Sequence, residues 1–246
     1  MTDWDLPRLV QETWVASVDY QPEVASTNTL ALSQAAQVHE LPRLFLAERQ
    51  TAGRGRGGNP WWSSAGASTC SLLLEPDPLL LPVSKWPLMS LGMGVAVCQT
   101  LQRVLHQAPQ ALISQVKWPN DVYVNQRKIC GILVETVPQT DLTTAPRVVV
   151  GIGINVNNSF VDAPTELTQT ATALCDLLGQ TVDRTQLMIQ LLQEIEHQLR
   201  LLARSPAELI QLCRALCWLT GKRVTLQDGP RQTDRKSTRL NSSHRH

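Results

Sequence analysis

The sequence is short of the features that announce most specialised protein classes. It has two Phe and two Tyr, no C-x-x-C pair, only 17% charged residues, and a formal net charge of +1 in 246 residues. The near-neutral balance gives no global basic field to draw the chain to nucleic acid or to an anionic membrane. Six Cys at 70, 98, 130, 175, 213 and 217 have apolar neighbours, and no His or second Cys pair completes a zinc set. Free thiols in a reducing compartment are the expected state. The Met1-Thr2-Asp3-Trp4-Asp5 start has no basic segment followed by an apolar core, as a secretory signal would. The most apolar region, Leu79 to Leu105, is interrupted by Pro82, Lys85, Pro87, Gly92, Gly94 and Gln99, so about 18 consecutive apolar residues do not occur. Ordinary counts of Gly (13) and Pro (15) exclude collagen-like and low-complexity chains, and 43% hydrophobic residues exclude intrinsic disorder. What the chain has in surplus is Trp, seven residues.

The length suits one large domain with a small appendage. Residues 235–246 hold four basic and no acidic residues and follow neither a helical nor a strand period, so they read as a non-native or disordered tail. Without them the chain carries 18 basic and 21 acidic residues, a net of −3. A strand pair or a strand with a turn is expected over 13–24, strands around 44–48, 69–74, 116–118, 122–124, 129–137 and 147–156, and a last one at 222–226 without a partner strand. Helices are expected after Ser26-Thr27-Asn28, from Ser84 to about His106, and near 168–178, 184–203 and 206–217. Hairpin strands with helices between and after them predict an α+β fold with a mixed or antiparallel sheet packed with helices.

Three segments carry chemistry. Gly53-Arg54-Gly55-Arg56-Gly57-Gly58 combines exposed backbone N–H groups with two guanidinium groups, a set suited to phosphate or carboxylate oxygens. A solvated flexible loop or an RGG-like segment would read the same way. In Val116-Lys117-Trp118-Pro119-Asn120-Asp121, a lysine on a strand precedes a Pro-stiffened turn. Burying an ammonium is costly without an anion. Asn120 and Asp121 either hold the turn or face a nucleotide or metal ion. Gly151 and Gly153 fall on one face of a strand that ends at Asn155, leaving room for a compact ligand or for close packing of backbone.

Taken in order, Ser26-Thr27-Asn28, Gln50 through Arg56, Lys117 through Asp121, Lys128 through Glu135 and Gly151 through Asn155 resemble the biotin–protein ligases, over about residues 20–226. The resemblance implies a class II synthetase-like catalytic domain over 1–218. Residues 219–234 would then be the first strand of a truncated C-terminal SH3-like domain. It implies ATP-dependent activation of biotin to biotinyl-5′-AMP, then transfer to a lysine of a biotin carboxyl-carrier protein, with ATP and Mg2+ as co-substrates. On this resemblance biotin is held by Ser26, Thr27, Asn28, Gln50, Gly53, Arg54, Gly55, Arg56, Lys117, Gly131, Gly151 and Gly153. ATP falls to Arg56, Trp61, Lys117, Asn120, Asp121 and Asn155. Lys117, Arg54 and Arg56 are the expected catalytic cations, since the biotin carboxylate and the α-phosphate repel one another until screened. No residue is expected to ligate a resident metal. A cytoplasmic enzyme, a homodimer as in other members, and no DNA or membrane partner complete the expectation.

The sequence departs from the family at three places. Asn59 stands where a basic residue is usual. About 25 residues precede Ser26, fewer than the DNA-binding winged helix of many relatives needs, which resembles the ligase-only form. The chain leaves the family pattern near Gly229–Asp234. Two alternatives fit parts of the pattern: a lipoate or octanoate transferase on the same fold, and a non-catalytic biotin-binding protein.

Overall fold

The computed structural model describes residues 4–139, 145–160, 163, 165–228 and 231–236. Its elements run α1 (Leu6–Gln11), β1 (Ser17–Val24), α2 (Thr27–Gln34), β2 (Arg43–Gln50), β3 (Ser68–Leu74), α3 (Met89–Leu105), β4 (Ser114–Lys117), β5 (Asp121–Val124), β6 (Arg127–Thr136), β7 (Val148–Ile154), α4 (Thr165–Thr170), α5 (Leu174–Leu178), α6 (Arg184–Arg204), α7 (Pro206–Ala215), β8 (Arg223–Asp228) and β9 (Arg231–Lys236). Seven strands form one sheet in the order β1-β2-β3-β7-β6-β5-β4. Only β1 and β2 are parallel; the other pairs are antiparallel. The architecture is α+β with a mixed sheet, as expected.

Strand alternation sorts the side chains onto two faces. Leu44, Leu46, Leu72, Leu74, Val148, Val150 and Ile152 join the large core beneath α3 and α6. The intervening Phe45, Leu73 and Val149 pack instead with Ala31 and Ala35 of α2 on the opposite face. Helix α2 is short, and Ser26 caps it, its hydroxyl oxygen accepting from the Thr29 N–H. Helix α6 begins at Asp183, whose carboxylate accepts from the Gln186 N–H. Val83–Leu105 is one helical stretch long and apolar enough, by length and composition, to cross a membrane. Here its apolar residues, among them Met93, Val97 and Leu101, are spent on the core.

Three expectations are corrected and one helix is added. The helix foreseen from Ser84 starts as a 3₁₀ turn, Val83–Leu88, because Pro87 cannot donate within an α-helix; the α-helix begins at Met89. The helix foreseen over 168–178 breaks at Ala171–Ala173, where the Thr172 N–H donates to the Lys128 carbonyl and Ala171 bridges to that residue. Short α1, which packs on α6, was not foreseen. The last strand does have a partner: β8 pairs antiparallel with β9, which runs past residue 234 to Lys236. The rest of the expected tail, 237–246, lies outside the described residues. All six Cys are free and five are buried.

One ion pair, between a buried arginine and a half-buried glutamate, pins α6 to the sheet. Arg184, 4% exposed at its side chain, donates to Glu48 Oε1 at 2.9 Å and to the Ala67 carbonyl. Burial pushes the Glu48 pKa up, but hydrogen bonds from Arg184 and the Gly66 N–H outweigh it and leave the pKa lowered. The stabilisation is therefore complete above the unfolded glutamate pKa, about 4.3, and is lost as pH falls through the lower folded value. Glu48→Gln should lower the melting temperature near pH 7, and calorimetry should show that deficit shrinking below about pH 4. Arg184→Met, which leaves the carboxylate unpaired, should cost about 3 kcal/mol.

Candidate active site

The site is a row of residues in register across the α2 face of the sheet. Thr69 of β3 lies opposite Gly153 of β7, Gly153 opposite Gly131 of β6, Gly131 opposite Asp121 of β5, and Asp121 opposite Lys117 of β4. A second row places Ser71 opposite Gly151 and Gly151 opposite Leu133. Three glycines in these rows leave a depression in the sheet. A Cβ on Gly153 would stand 2.5 Å from the Trp61 ring, and one on Gly151 would stand 2.0 Å from Asn28 Oδ1. The depression opens into a cavity of about 920 Å³. Its lining includes Ser26, Thr27, Asn28, Gln50, Arg54, Gly55, Arg56, Trp61, Asn120, Asp121, Gly131, Gly151 and Gly153, thirteen of the sixteen residues expected there.

One end of the cavity is a buried polar network. Gln50 Oε1 accepts from the Thr27 N–H at 2.8 Å and from the Thr27 hydroxyl at 3.1 Å. Ser71 Oγ lies 2.7 Å from Thr27 Oγ1 and 2.6 Å from Asn28 Oδ1. Asn28 Nδ2 donates to the Leu133 carbonyl and to Glu135 Oε2. This pattern leaves the Gln50 amide N–H2 and the Ser26 hydroxyl proton as donors and the Thr27 hydroxyl oxygen as an acceptor. A ligand head with both a carbonyl and N–H groups matches that set.

The Gly-Arg segment is a hairpin-like loop rather than an irregular one. Arg54 bridges to Pro60, the Trp61 N–H donates to the Gly53 carbonyl, and Arg56–Gly58 make a 3₁₀ turn with Gly57 at φ +68°. Asn59, at the position where a basic residue is usual, closes that turn by donating from Nδ2 to the Arg56 carbonyl at 2.9 Å. The Trp61 ring lies over Gly153 and Gly131.

The cations are distributed differently from expectation. Lys117 is at the far end of the row and does not line the cavity. Its Nζ donates to the Tyr123 hydroxyl at 3.0 Å and sits over the Tyr123 and Trp218 rings. Lys128 does line the cavity, with Nζ 2.8 Å from Asp121 Oδ1 and 5.5 Å from the Trp61 ring centre. The approach to Asp121 is off the hydrogen-bond direction, so it is a Coulombic contact. The switch comes from a β-bulge: the register slips between Val122 and Tyr123, so that Tyr123 faces Lys128. Ile129 and Cys130 both turn into the core, and Lys128 emerges on the site face. Strict alternation would have placed Lys128 in the core with Cys130 and Ile132, which is why its pattern hid it. Arg54 is engaged by Glu135 in a two-pronged ion pair, at 2.9 and 3.2 Å, while Arg56 is exposed at the mouth.

Two further expected residues stand outside the lining. Asn155 is buried and its Oδ1 accepts from Asn158 Nδ2, so it holds the chain after β7. Gly53 acts by close approach: a Cβ there would meet the Trp61 carbonyl at 2.6 Å. Trp118, inside a presumed ligand motif, is 41% exposed and away from the cavity. Cys70 borders the cavity, but burial pushes its thiol up to about 12, so it supplies no thiolate nucleophile. Among the described residues no group of three His, Cys, Asp or Glu could cage a metal ion.

This fold belongs to a known class of structure. The biotin protein ligase of Aquifex aeolicus in complex with biotin and ATP superposes with a TM-score of 0.75 at 28% identity, over 89% of this chain and 86% of that one. The family model for the biotin/lipoate A/B protein ligase family matches residues 20–155, and the chain belongs to that family. It is 33% identical over 211 residues to the biotin–[acetyl-CoA-carboxylase] ligase of Mycobacterium tuberculosis, 85% of this chain and 74% of that protein. It is 36% identical over 182 residues to the bifunctional ligase/repressor BirA of Bacillus spizizenii, but spans only 53% of that relative's length.

Gly151→Ala tests the glycine depression. The new methyl group must displace Asn28 and the start of α2, an overpacking cost of about 1–3 kcal/mol. Thermal melting should show a lowered midpoint in a chain that still unfolds cooperatively.

Proposed function

We propose that the chain activates biotin with ATP and transfers it to a lysine of a carboxyl-carrier protein. The observation that carries this reading is one cavity with both a polar end and charged groups in its lining. Ser26, Thr27 and Gln50 form a polar end that matches a ureido head, Lys128 and Asp121 pair elsewhere in the same lining, and Arg56 adds a cation to it. An aliphatic acid such as lipoate or octanoate has no group to satisfy the polar end, and an unsatisfied buried polar group is costly.

In the first step a biotin carboxylate oxygen attacks the α-phosphorus, the bond to the β-phosphate oxygen breaks, and pyrophosphate leaves. Lys128 and Arg56 offset the charge where carboxylate and phosphate meet. Lys128 takes the role expected of Lys117, because Lys128 lines the cavity while Lys117, on the same face opposite Asp121, turns its ammonium to Tyr123 and Trp218. In the second step the carrier lysine nitrogen attacks the acyl carbon, AMP leaves with the bonding pair, and the amine proton passes to solvent. No enzyme nucleophile is needed, in keeping with the inert Cys70.

The oxygen donors present suit Mg2+, which commonly uses one or two carboxylates together with substrate phosphates. Asp121 and Asn120 would hold it beside the nucleotide, where it would neutralise phosphate charge. The β8–β9 hairpin is the start of a small C-terminal barrel on this reading. Free, largely buried thiols suit a cytoplasmic enzyme, and the family resemblance supports a homodimer.

ATP–pyrophosphate exchange tests the proposal. Exchange should depend on biotin and not on lipoate; stimulation by lipoate alone overturns the reading. Lys128→Ala should lower the exchange rate by about 10²–10³-fold, whereas Lys117→Ala should retain it within about threefold. The reverse ranking would return the catalytic role to Lys117.

A further inference from the structure

Glu135 sits on β6 opposite Val149, one step outside the glycine rows. Its carboxylate makes three hydrogen bonds to two elements that are far apart in sequence. Oε2 accepts from Asn28 Nδ2 at 2.8 Å and from Arg54 Nη2 at 2.9 Å, and Oε1 accepts from Arg54 Nη1 at 3.2 Å. Asn28 belongs to the first turn of α2, next to Ser26 and Thr27, and Arg54 belongs to the Gly-Arg loop. One carboxylate therefore fastens both walls of the cavity to the same point of the sheet.

The chemistry of the partners gives this link a direction. A carboxylate only accepts, so Asn28 must turn its NH2 toward Glu135 and its carbonyl oxygen toward Ser71. The buried Ser71 hydroxyl then gives its single proton to Asn28 Oδ1. Ser71 Oγ is left to accept, and the Thr27 proton is spent inward on Ser71 or Gln50. The Thr27 oxygen consequently faces the cavity with its lone pairs free, and a negative charge at the far end of the chain strengthens it as an acceptor.

We propose that Glu135 is a positioning residue for biotin, a reading that rests on the proposed function. It locks the head-group pocket and the Gly-Arg loop together and sets the hydroxyl chain so that Thr27 presents an acceptor to a ligand N–H. Glutamine at this position keeps the volume but loses the charge, and it can donate to a reversed Asn28 amide.

The test compares wild type, Glu135→Gln, Asn28→Ala and the double variant, using the full chain. Biotin affinity is read by titration calorimetry, KM for biotin and for ATP by exchange, and folding by thermal melting. Glu135→Gln should weaken biotin about tenfold and raise its KM in step, with ATP KM within about twofold and melting within a few degrees. Because both residues act through one chain, the double variant should bind biotin no more than about twofold worse than Asn28→Ala alone. Wild-type affinity in Glu135→Gln overturns the inference, as does an equal rise in both KM values with a lowered melting temperature, which marks a purely structural role. A wild-type chain that binds no biotin overturns the functional reading and this inference with it.

Discussion

Everything in the site depends on register between β6 and β7. Gly131 opposite Gly153, and Gly151 opposite Leu133, hollow one face of an otherwise filled sheet. The reverse face of the same strands is packed with Ile132, Val150 and Ile152 in the main core. A slip of one residue would exchange the two faces, burying the hollow and exposing the core. The extensive core under α3 and α6 thus fixes the ligand surface on the other side, although none of its apolar residues needs to meet a ligand.

The walls around the hollow are attached by polar links rather than apolar packing. Gln50 holds the backbone of Thr27, Ser71 bridges Thr27 and Asn28, and Glu135 holds Asn28 and Arg54 together. Such a network is sensitive to the loss of any member, because an abandoned buried donor or acceptor bears its full desolvation cost. It also leaves a specific remainder of donors and acceptors for a ligand. Arg54 illustrates the price of reading charge from sequence alone: a guanidinium counted as a free cation is already neutralised by Glu135.

The loop around Arg56 is shaped by its own turn chemistry. Asn59 lacks a charge, but its amide closes the turn that holds Arg56 at the mouth. Gly57 and Gly58, both at positive φ, permit that turn without strain.

Read alone, the sequence determined the α+β class, the placement of most strands and the cap at Ser26, and it picked out thirteen residues that line one cavity. These are local facts: periodicity, capping and turn chemistry act over a few residues and survive without tertiary information. Tertiary structure decided which cation reaches the cavity, which break divides α4 from α5, and which buried asparagine borders the cavity. Lys117 and Lys128 have equally plausible local contexts, and only the bulge opposite Tyr123 turns Lys128 outward, while Tyr123 and Trp218 draw Lys117 aside. Likewise, Asn28 and Asn155 both occur in ligand-like motifs, but Asn28 lines the cavity while Asn155 lies outside it, bonded to Asn158. A side chain's destination depends on strand pairing and on partners remote in sequence, and neither is encoded within the motif that contains it.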